Sequence, residues 1–185
     1  MPDQAAGTKI TYGAQIPVFP VESKYGLVWM EGRPDIPWQR AYVVWCRPSR
    51  LEALVRHTTR HQWCGLPPRW PEHERELVHS GMTSTTAEEP MPVGCLHVNY
   101  LVRRMPARLL SFLESRGLHS WTLELRCGFM DGMHRTAWLI ENGAPLIPIM
   151  ATSLASAMAL EQHAGDRVCH IDLGRLEDEG KRPRY

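Results

Sequence analysis

The sequence predicts an α+β fold, and three observations support this class. Residues 41–46 form a continuous apolar run of strand-forming residues, and residues 121–130 alternate apolar and polar with the period of a strand. Leu51, Leu54 and Val55 share one helical face, which predicts an amphipathic helix. The chain has 185 residues, of which 43% are hydrophobic and 22% charged, so one domain with a real core is expected.

Composition argues against several protein classes. No run of 18 or more apolar residues exists, so we expect no membrane span, and the first residues lack the pattern of a secretory signal. The number of cysteines is odd and their spacing is wide, which argues against a disulfide framework. The sequence therefore predicts a cytoplasmic protein of a reducing compartment. Its cysteines are Cys46, Cys64, Cys95, Cys127 and Cys169.

Residues 1–90 are predicted to be a β-rich and loop-rich N-terminal part of the single domain. Short strands are expected at 16–21 and 26–30, where neighbouring prolines favour sheet edges. The buried strand at 41–46 stops at Pro48, and Ser49 with Glu52 predicts a capping box that starts a helix. A short helix is expected from Pro71 to a point before Gly81, followed by a mobile loop over 82–89.

Residues 91–165 carry a more regular pattern, in the order helix, strand, helix, strand and helix from residue 105. The first helix is predicted from Pro106 to a stop at Gly117, and the strand at 121–130 follows. A helix headed by His134 and Arg135 then runs through Asn142 to a stop at Gly143. A strand at 146–150 and a helix at 153–163 capped by Thr152 complete the pattern. Residues 166–185 are predicted to be a C-terminal tail, disordered at 181–185.

The turn between the predicted strand at 121–130 and the next helix has the composition of a phosphate site. Gly132 allows a sharp turn and close approach of a ligand, and the first amide groups of the helix favour an anion. Arg135 adds a cation that can donate two hydrogen bonds to one phosphate, and His134 can carry a proton near neutral pH. Asp131 can help hold Mg²⁺ (or another divalent cation) together with substrate phosphates. The alternative is that Asp131 only caps the helix and the two basic residues are solvated.

Two further groups of residues can extend this site toward nuclease chemistry. Glu124, on the polar face of the strand, is predicted to reach the same cleft as Asp131, although a surface ion pair with Arg126 is the simpler interpretation. Arg103, Arg104 and Arg108 are predicted to attract DNA phosphates without sequence preference.

Residues 131–149, with Asp131, Gly132, His134 and Arg135 at their start, resemble the core of the ParB/sulfiredoxin superfamily. That core has a strand, the Gly-x-His-Arg motif, a helix, a glycine and a strand of the Ile-Pro-Val type. The resemblance covers residues 91–165, and within the superfamily the chain is most similar to plasmid fertility-inhibition proteins of the oncogenic-suppression type. It implies a mixed sheet with packed helices.

The same resemblance implies a function. It implies a cytoplasmic protein that blocks DNA transfer through a conjugative type IV secretion system, with ATP binding and hydrolysis and DNase activity. The implied partners are DNA (the transferred plasmid or T-DNA strand) and the coupling ATPase of the secretion system. Gly132, Met133, His134 and Arg135 fall on the phosphate-binding motif. Sulfiredoxins carry a reactive cysteine where this chain has Met133, and a thioether cannot act as that thiolate, so redox repair is not expected.

Two other interpretations stay open. In the first, catalysis is vestigial and the protein inhibits transfer by docking on the coupling ATPase. In the second, His57, His61, Cys64 and His73 hold a Zn²⁺ in a binding module, although their spacing fits no common zinc template.

Overall fold

The computed structural model describes residues 7–11, 14–32, 41–58, 63–104 and 121–172. These residues form nine strands, four α-helices and one 3₁₀ turn. Their strands belong to a four-stranded sheet and a five-stranded sheet, both of which mix parallel and antiparallel neighbours. The predicted α+β class, with a mixed sheet and packed helices, is confirmed.

The four-stranded sheet is built from β1 (Gly7–Thr11), β2 (Ala14–Ser23), β3 (Gly26–Glu31) and β5 (Met91–Pro92), in that order. β2 lies between β1 and β3, so the expectation that its prolines mark an edge strand is wrong. Pro17 pairs with Thr8 of β1 and Pro20 pairs with Trp29 of β3, so each proline has a ladder partner on one side. Pro17 lies next to Gly32, just past β3, and Pro20 lies beyond the described start of β1.

The five-stranded sheet has the order β7-β6-β8-β4-β9 and holds the two most buried strands at its centre. Every residue of β4 (Tyr42–Cys46) and β8 (Ile147–Ala151) is buried. β6 (Gly94–Arg104) runs parallel to β8 and antiparallel to β7 (Trp121–Asp131). β9 (Gly165–Asp172) pairs with β4, so the predicted C-terminal tail begins with a strand.

Two predicted helix boundaries are wrong, each for a local reason. α1 (Pro48–Thr58) begins at its proline, which is favourable at the first helical position, so Ser49 lies inside the helix and forms no capping box. α2 (Glu72–Thr83) continues through Gly81, where an added Cβ would lie 3.1 Å from the Met91 side chain. Met82, predicted to open a mobile loop, is fully buried.

The two remaining helices follow the predicted order. α3 (Met133–Glu141) ends before Gly143, the predicted stop, which has a φ of 74° in the left-handed region. α4 (Leu154–Ala164) is capped by Ser153, whose side chain accepts from the Ser156 amide, and not by Thr152. The helix predicted at 106–117 lies outside the described residues.

One hydrophobic core joins both sheets and all four helices. α1 and α4 pack against each other and against the five-stranded sheet, while α2 packs on α3. Cys127 lies on β7 and is buried, with its Sγ near the Leu54 carbonyl of α1. Among the described helices, none has the length and apolar content needed to cross a membrane.

Candidate functional site

The turn from β7 into α3 depends on two glycines that contact each other. Gly132 is the N-cap of α3 and has a φ of 75°, in the left-handed region where a side chain is strained. A Cβ on Gly132 would lie 2.6 Å from the Cα of Gly94, at the start of β6. A Cβ on Gly94 would collide with the Thr136 hydroxyl, which instead donates to the Gly132 carbonyl. The close approach of β6 therefore fixes the position of the turn.

A β-bulge at the end of β7 orients the residue before this turn. Cys95 lies opposite Asp131 and Leu96 lies opposite Phe129, so Met130 is an extra residue on β7. Met130 is exposed, and Asp131 also projects outward with about half of its side chain exposed. The bulge thus places the carboxylate at the surface beside the first turn of α3.

Asp131 and Arg135 form an ion pair across the turn. An Nη atom of Arg135 donates to Oδ2 of Asp131 at 2.6 Å. Partial burial opposes ionisation of Asp131, but the hydrogen bond and charge of Arg135 and the Gly132 amide together hold its pKa below the ordinary value. Nε of Arg135 is buried and has no hydrogen-bond partner among the described residues. The guanidinium is therefore only partly satisfied by Asp131.

His134 faces α2 rather than the ion pair. Its Nε2 lies 4.0 Å from Oε2 of Glu74, and its ring meets the edge of the Trp70 ring with 4.8 Å between centroids. Both His134 and Glu74 are about half exposed. The sequence analysis missed Glu74, Trp70 and Gly94, because only the packing of α2 on α3 and of β6 on the turn reveals their position.

The first turn of α3 has the features of an anion site. The amides of Met133, His134 and Arg135 have no acceptor within the helix, and Gly132 offers no side chain to cap them. The positive end of the helix dipole and the Arg135 guanidinium lie in the same place. Asp131 is the carboxylate that belongs to the turn itself, with Glu74 of α2 beside His134, and Mg²⁺ at Asp131 would need phosphate oxygens as further ligands.

Glu124 does not lie at this site. It precedes Asp131 by seven residues on β7, about 23 Å at the rise of an extended strand. The prediction that the two carboxylates share a cleft is therefore wrong. Oε1 of Glu124 instead lies 3.8 Å from Nε of Arg126, which fits the simpler interpretation of a surface ion pair.

The arginines predicted to attract DNA lie away from the turn or outside the described residues. Arg103 and Arg104 belong to β6 and pair with Thr122 and Trp121, at the strand end remote from Asp131. Arg108 lies outside the described residues. The structure therefore does not bring Arg103 and Arg104 to the phosphate site.

The predicted zinc residues are distributed over separate elements. His57 is exposed on α1 and His73 is exposed on α2, while His61 lies outside the described residues. Burial raises the pKa of the Cys64 thiol to about 11, which opposes formation of a metal-binding thiolate. No three His, Cys, Asp or Glu side chains within the described part of the chain are placed to share a metal.

Comparisons with known proteins concern the part of the chain that carries this turn. The model of a family described as plasmid fertility inhibition factor matches residues 43–165, more than half of the chain. The crystal structure of an oncogenic suppression activity protein, a plasmid fertility inhibition factor, as its gold(I) cyanide derivative, is similar with a TM-score of 0.63. The two chains are 15% identical over 89% of this chain and 77% of that one, a likeness that shows the fold. Sequence comparison with curated proteins gave no match.

Proposed function

The chain belongs to the plasmid fertility inhibition factor family, and on that premise we propose that it restrains conjugative DNA transfer through a phosphate-binding site at the first turn of α3. The proposed activities are binding and hydrolysis of ATP and cleavage of DNA. The proposed partners are the transferred DNA strand and the coupling ATPase of a type IV secretion system, and the proposed location is the cytoplasm.

One observation carries the proposal: the uncapped N-terminus of α3 coincides with a guanidinium whose Nε has no partner. Three main-chain amides and Arg135 are available to one phosphate group. Gly132 has no Cβ that would block the approach of the ligand, and its contact with Gly94 keeps the amides in place. Such a preformed array of donors favours an anion without reorganisation of the chain.

Each residue of the turn has a proposed role in phosphate chemistry. The amides of Met133, His134 and Arg135 hold the phosphate oxygens, and the Arg135 guanidinium stabilises negative charge that develops on them. His134 donates a hydrogen bond or a proton, and its Nε2 lies 4.0 Å from Oε2 of Glu74. Asp131 would contribute to holding a divalent cation, which supplies Lewis-acid charge when bound.

The Asp131–Arg135 ion pair defines what must change when a ligand binds. Asp131 accepts the Nη hydrogen bond that a phosphate would otherwise receive. A divalent cation on Asp131 would release Arg135 to the phosphate, so the proposal predicts that ATP binds more tightly with Mg²⁺ than with EDTA.

Isothermal titration calorimetry with ATP and Mg²⁺ tests the site directly. Arg135→Ala is compared with Arg56→Ala, a matched control because Arg56 forms an (i, i+4) ion pair with Glu52 on α1. We expect the wild type and Arg56→Ala to bind ATP and Arg135→Ala to lose that binding. In a separate assay of ATP hydrolysis, Arg135→Ala should lose about 10²–10³ in rate, the usual effect of removing one such donor.

Nuclease assays on single-stranded and double-stranded plasmid DNA complete the test. If Arg135→Ala hydrolyses both ATP and DNA as fast as the wild type does, the first turn of α3 is not the active site. Absence of ATP binding by every variant would remove the phosphate chemistry and leave docking on the coupling ATPase as the basis of inhibition.

A further inference from the structure

A cavity with an aromatic wall lies at the C-terminal end of α3, whereas the phosphate site lies at its N-terminal end. Its volume is about 340 Å³, in the range of small-ligand sites. Tyr25, His79 and Trp138 form its aromatic side, and Pro67 and Pro68 contribute another wall. Trp138 lies five residues after Met133, about 7.5 Å along the helix, and the cavity extends from there to Asn142. None of residues 131–135, which form the phosphate site, lines this cavity.

Tyr25 is held in an exposed position by the turn between β2 and β3. More than half of the residue is exposed. Its amide donates to the Ser23 hydroxyl, which donates to the Gly26 carbonyl, and the Lys24 amide donates to the Asn142 carbonyl at the end of α3. An exposed aromatic ring on a turn fixed by three hydrogen bonds is a preorganised stacking surface.

The aromatic side chains support one another around this surface. The Tyr25 ring lies nearly parallel to Trp138, with 5.9 Å between centroids, and meets His79 edge-on at 4.7 Å. Trp138 is almost completely buried, so it forms the base of the cluster and leaves Tyr25 as the accessible ring. Nζ of Lys24 lies over the Tyr25 ring, so a flat ligand can stack there once the flexible Lys24 side chain moves aside, without displacing Trp138 or His79.

The charged residues of the cavity have both signs. Lys24 and Arg75 are cationic, and Nζ of Lys24 lies 5.1 Å from the centre of the Tyr25 ring. Glu76 and Glu141 supply carboxylates. Cations beside a stacking ring suit the phosphate of a nucleotide whose base stacks there, and carboxylates accept hydrogen bonds from the amino group of a base.

We propose that this cavity binds one nucleotide unit, with the base on Tyr25 and its phosphate at Lys24 and Arg75. The ligand chemistry has two sources, a free nucleotide or one nucleotide of a single DNA strand. Bases with an exocyclic amino group can donate to the two carboxylates, and cytosine, the smallest of these bases, is used as the probe. The inference does not depend on the chemistry at Arg135.

Binding is measured by fluorescence anisotropy of a labelled single-stranded cytidine oligonucleotide of eight residues, with EDTA present to suppress metal-dependent chemistry. Tyr25→Ala should weaken binding about 10-fold, and Tyr25→Phe, which keeps the ring, should bind as the wild type does. Tyr100→Ala is the matched control, because Tyr100 is also a half-exposed tyrosine but lies on β6. When Arg135 is also replaced by alanine, Tyr25→Ala should still weaken oligonucleotide binding by the same factor.

Competition by deoxycytidine monophosphate separates the two sources. If deoxycytidine monophosphate displaces the oligonucleotide and its own binding is weakened by Tyr25→Ala, the site is assigned to a free nucleotide. If only the oligonucleotide binds, the site is assigned to a DNA strand. Equal affinity of Tyr25→Ala and the wild type, an equal loss in Tyr100→Ala, or no binding of either probe by the wild type would overturn the proposal. Thermal melting of each variant confirms that it is folded.

Discussion

Substitution of Gly132 by alanine tests whether the contact between two glycines fixes the turn into α3. The added Cβ would lie 2.6 Å from the Cα of Gly94 and 3.0 Å from an Nη atom of Arg135. Gly143 supplies the matched control, because its φ of 74° is nearly the same as the 75° of Gly132 and a Cβ there would meet nothing within 4 Å. The two substitutions therefore share the strain of a left-handed alanine and differ in the collision.

The expected magnitudes follow from these two terms. The left-handed conformation costs about 1–2 kcal/mol in both variants. The collision with Gly94 adds about 1–3 kcal/mol in Gly132→Ala only, the usual range for overpacking. The entropic effect of alanine on the unfolded chain is common to both variants and cancels in the difference.

Urea denaturation of the wild type and both variants measures the free energies of unfolding. Gly132→Ala should be the less stable variant by about 1–3 kcal/mol, with the dependence on urea concentration unchanged. If Gly132→Ala is as stable as Gly143→Ala, β6 does not restrain the turn and the close packing of Gly94 on Gly132 is not what positions the anion site.

Three further predictions concern other parts of the structure. The pKa of Asp131 is lowered, so its ionised form contributes stability at neutral pH that is lost as the pH falls below the ordinary value of 3.8. In urea titrations, the free energy of unfolding of Asp131→Asn should therefore be lower than that of the wild type at pH 7 and approach it in acid. Ser156→Ala should cost about 1–3 kcal/mol in the same assay, because its buried hydroxyl accepts from the Val98 amide at 2.8 Å, and no loss would contradict that role. Cys64, with its pKa raised to about 11 by burial, should react with iodoacetamide at pH 8 more slowly than a free cysteine does, and an equal rate would contradict its protection.

The sequence predicted those elements whose signals are local. Alternation along residues 121–130 and the following glycine were enough to predict β7 and the start of α3, because strand period and backbone freedom do not depend on the rest of the chain. The capping box at Ser49 was wrong since Pro48 is itself favourable as the first helical residue. β9 was missed because it depends on pairing with β4.

The candidate site shows the same limit. The residues of the turn were predicted from their types and spacing, but Glu74 and Trp70 reach His134 only through the packing of α2 on α3. The ion pair between Asp131 and Arg135 was not predicted, because each residue was considered as a separate ligand for metal or phosphate. Glu124 was misplaced since alternation identifies the face of a strand but not the distance along it.

Whether the first turn of α3 is required for inhibition can be measured as the frequency of plasmid transfer from donor cells. The cells express the wild type, the double variant His134→Ala, Arg135→Ala, or the control Arg56→Ala, with protein amounts matched. We predict that the wild type and Arg56→Ala suppress transfer and that the double variant does not. Full suppression by the double variant would contradict a role of the phosphate site and would favour inhibition by docking on the coupling ATPase.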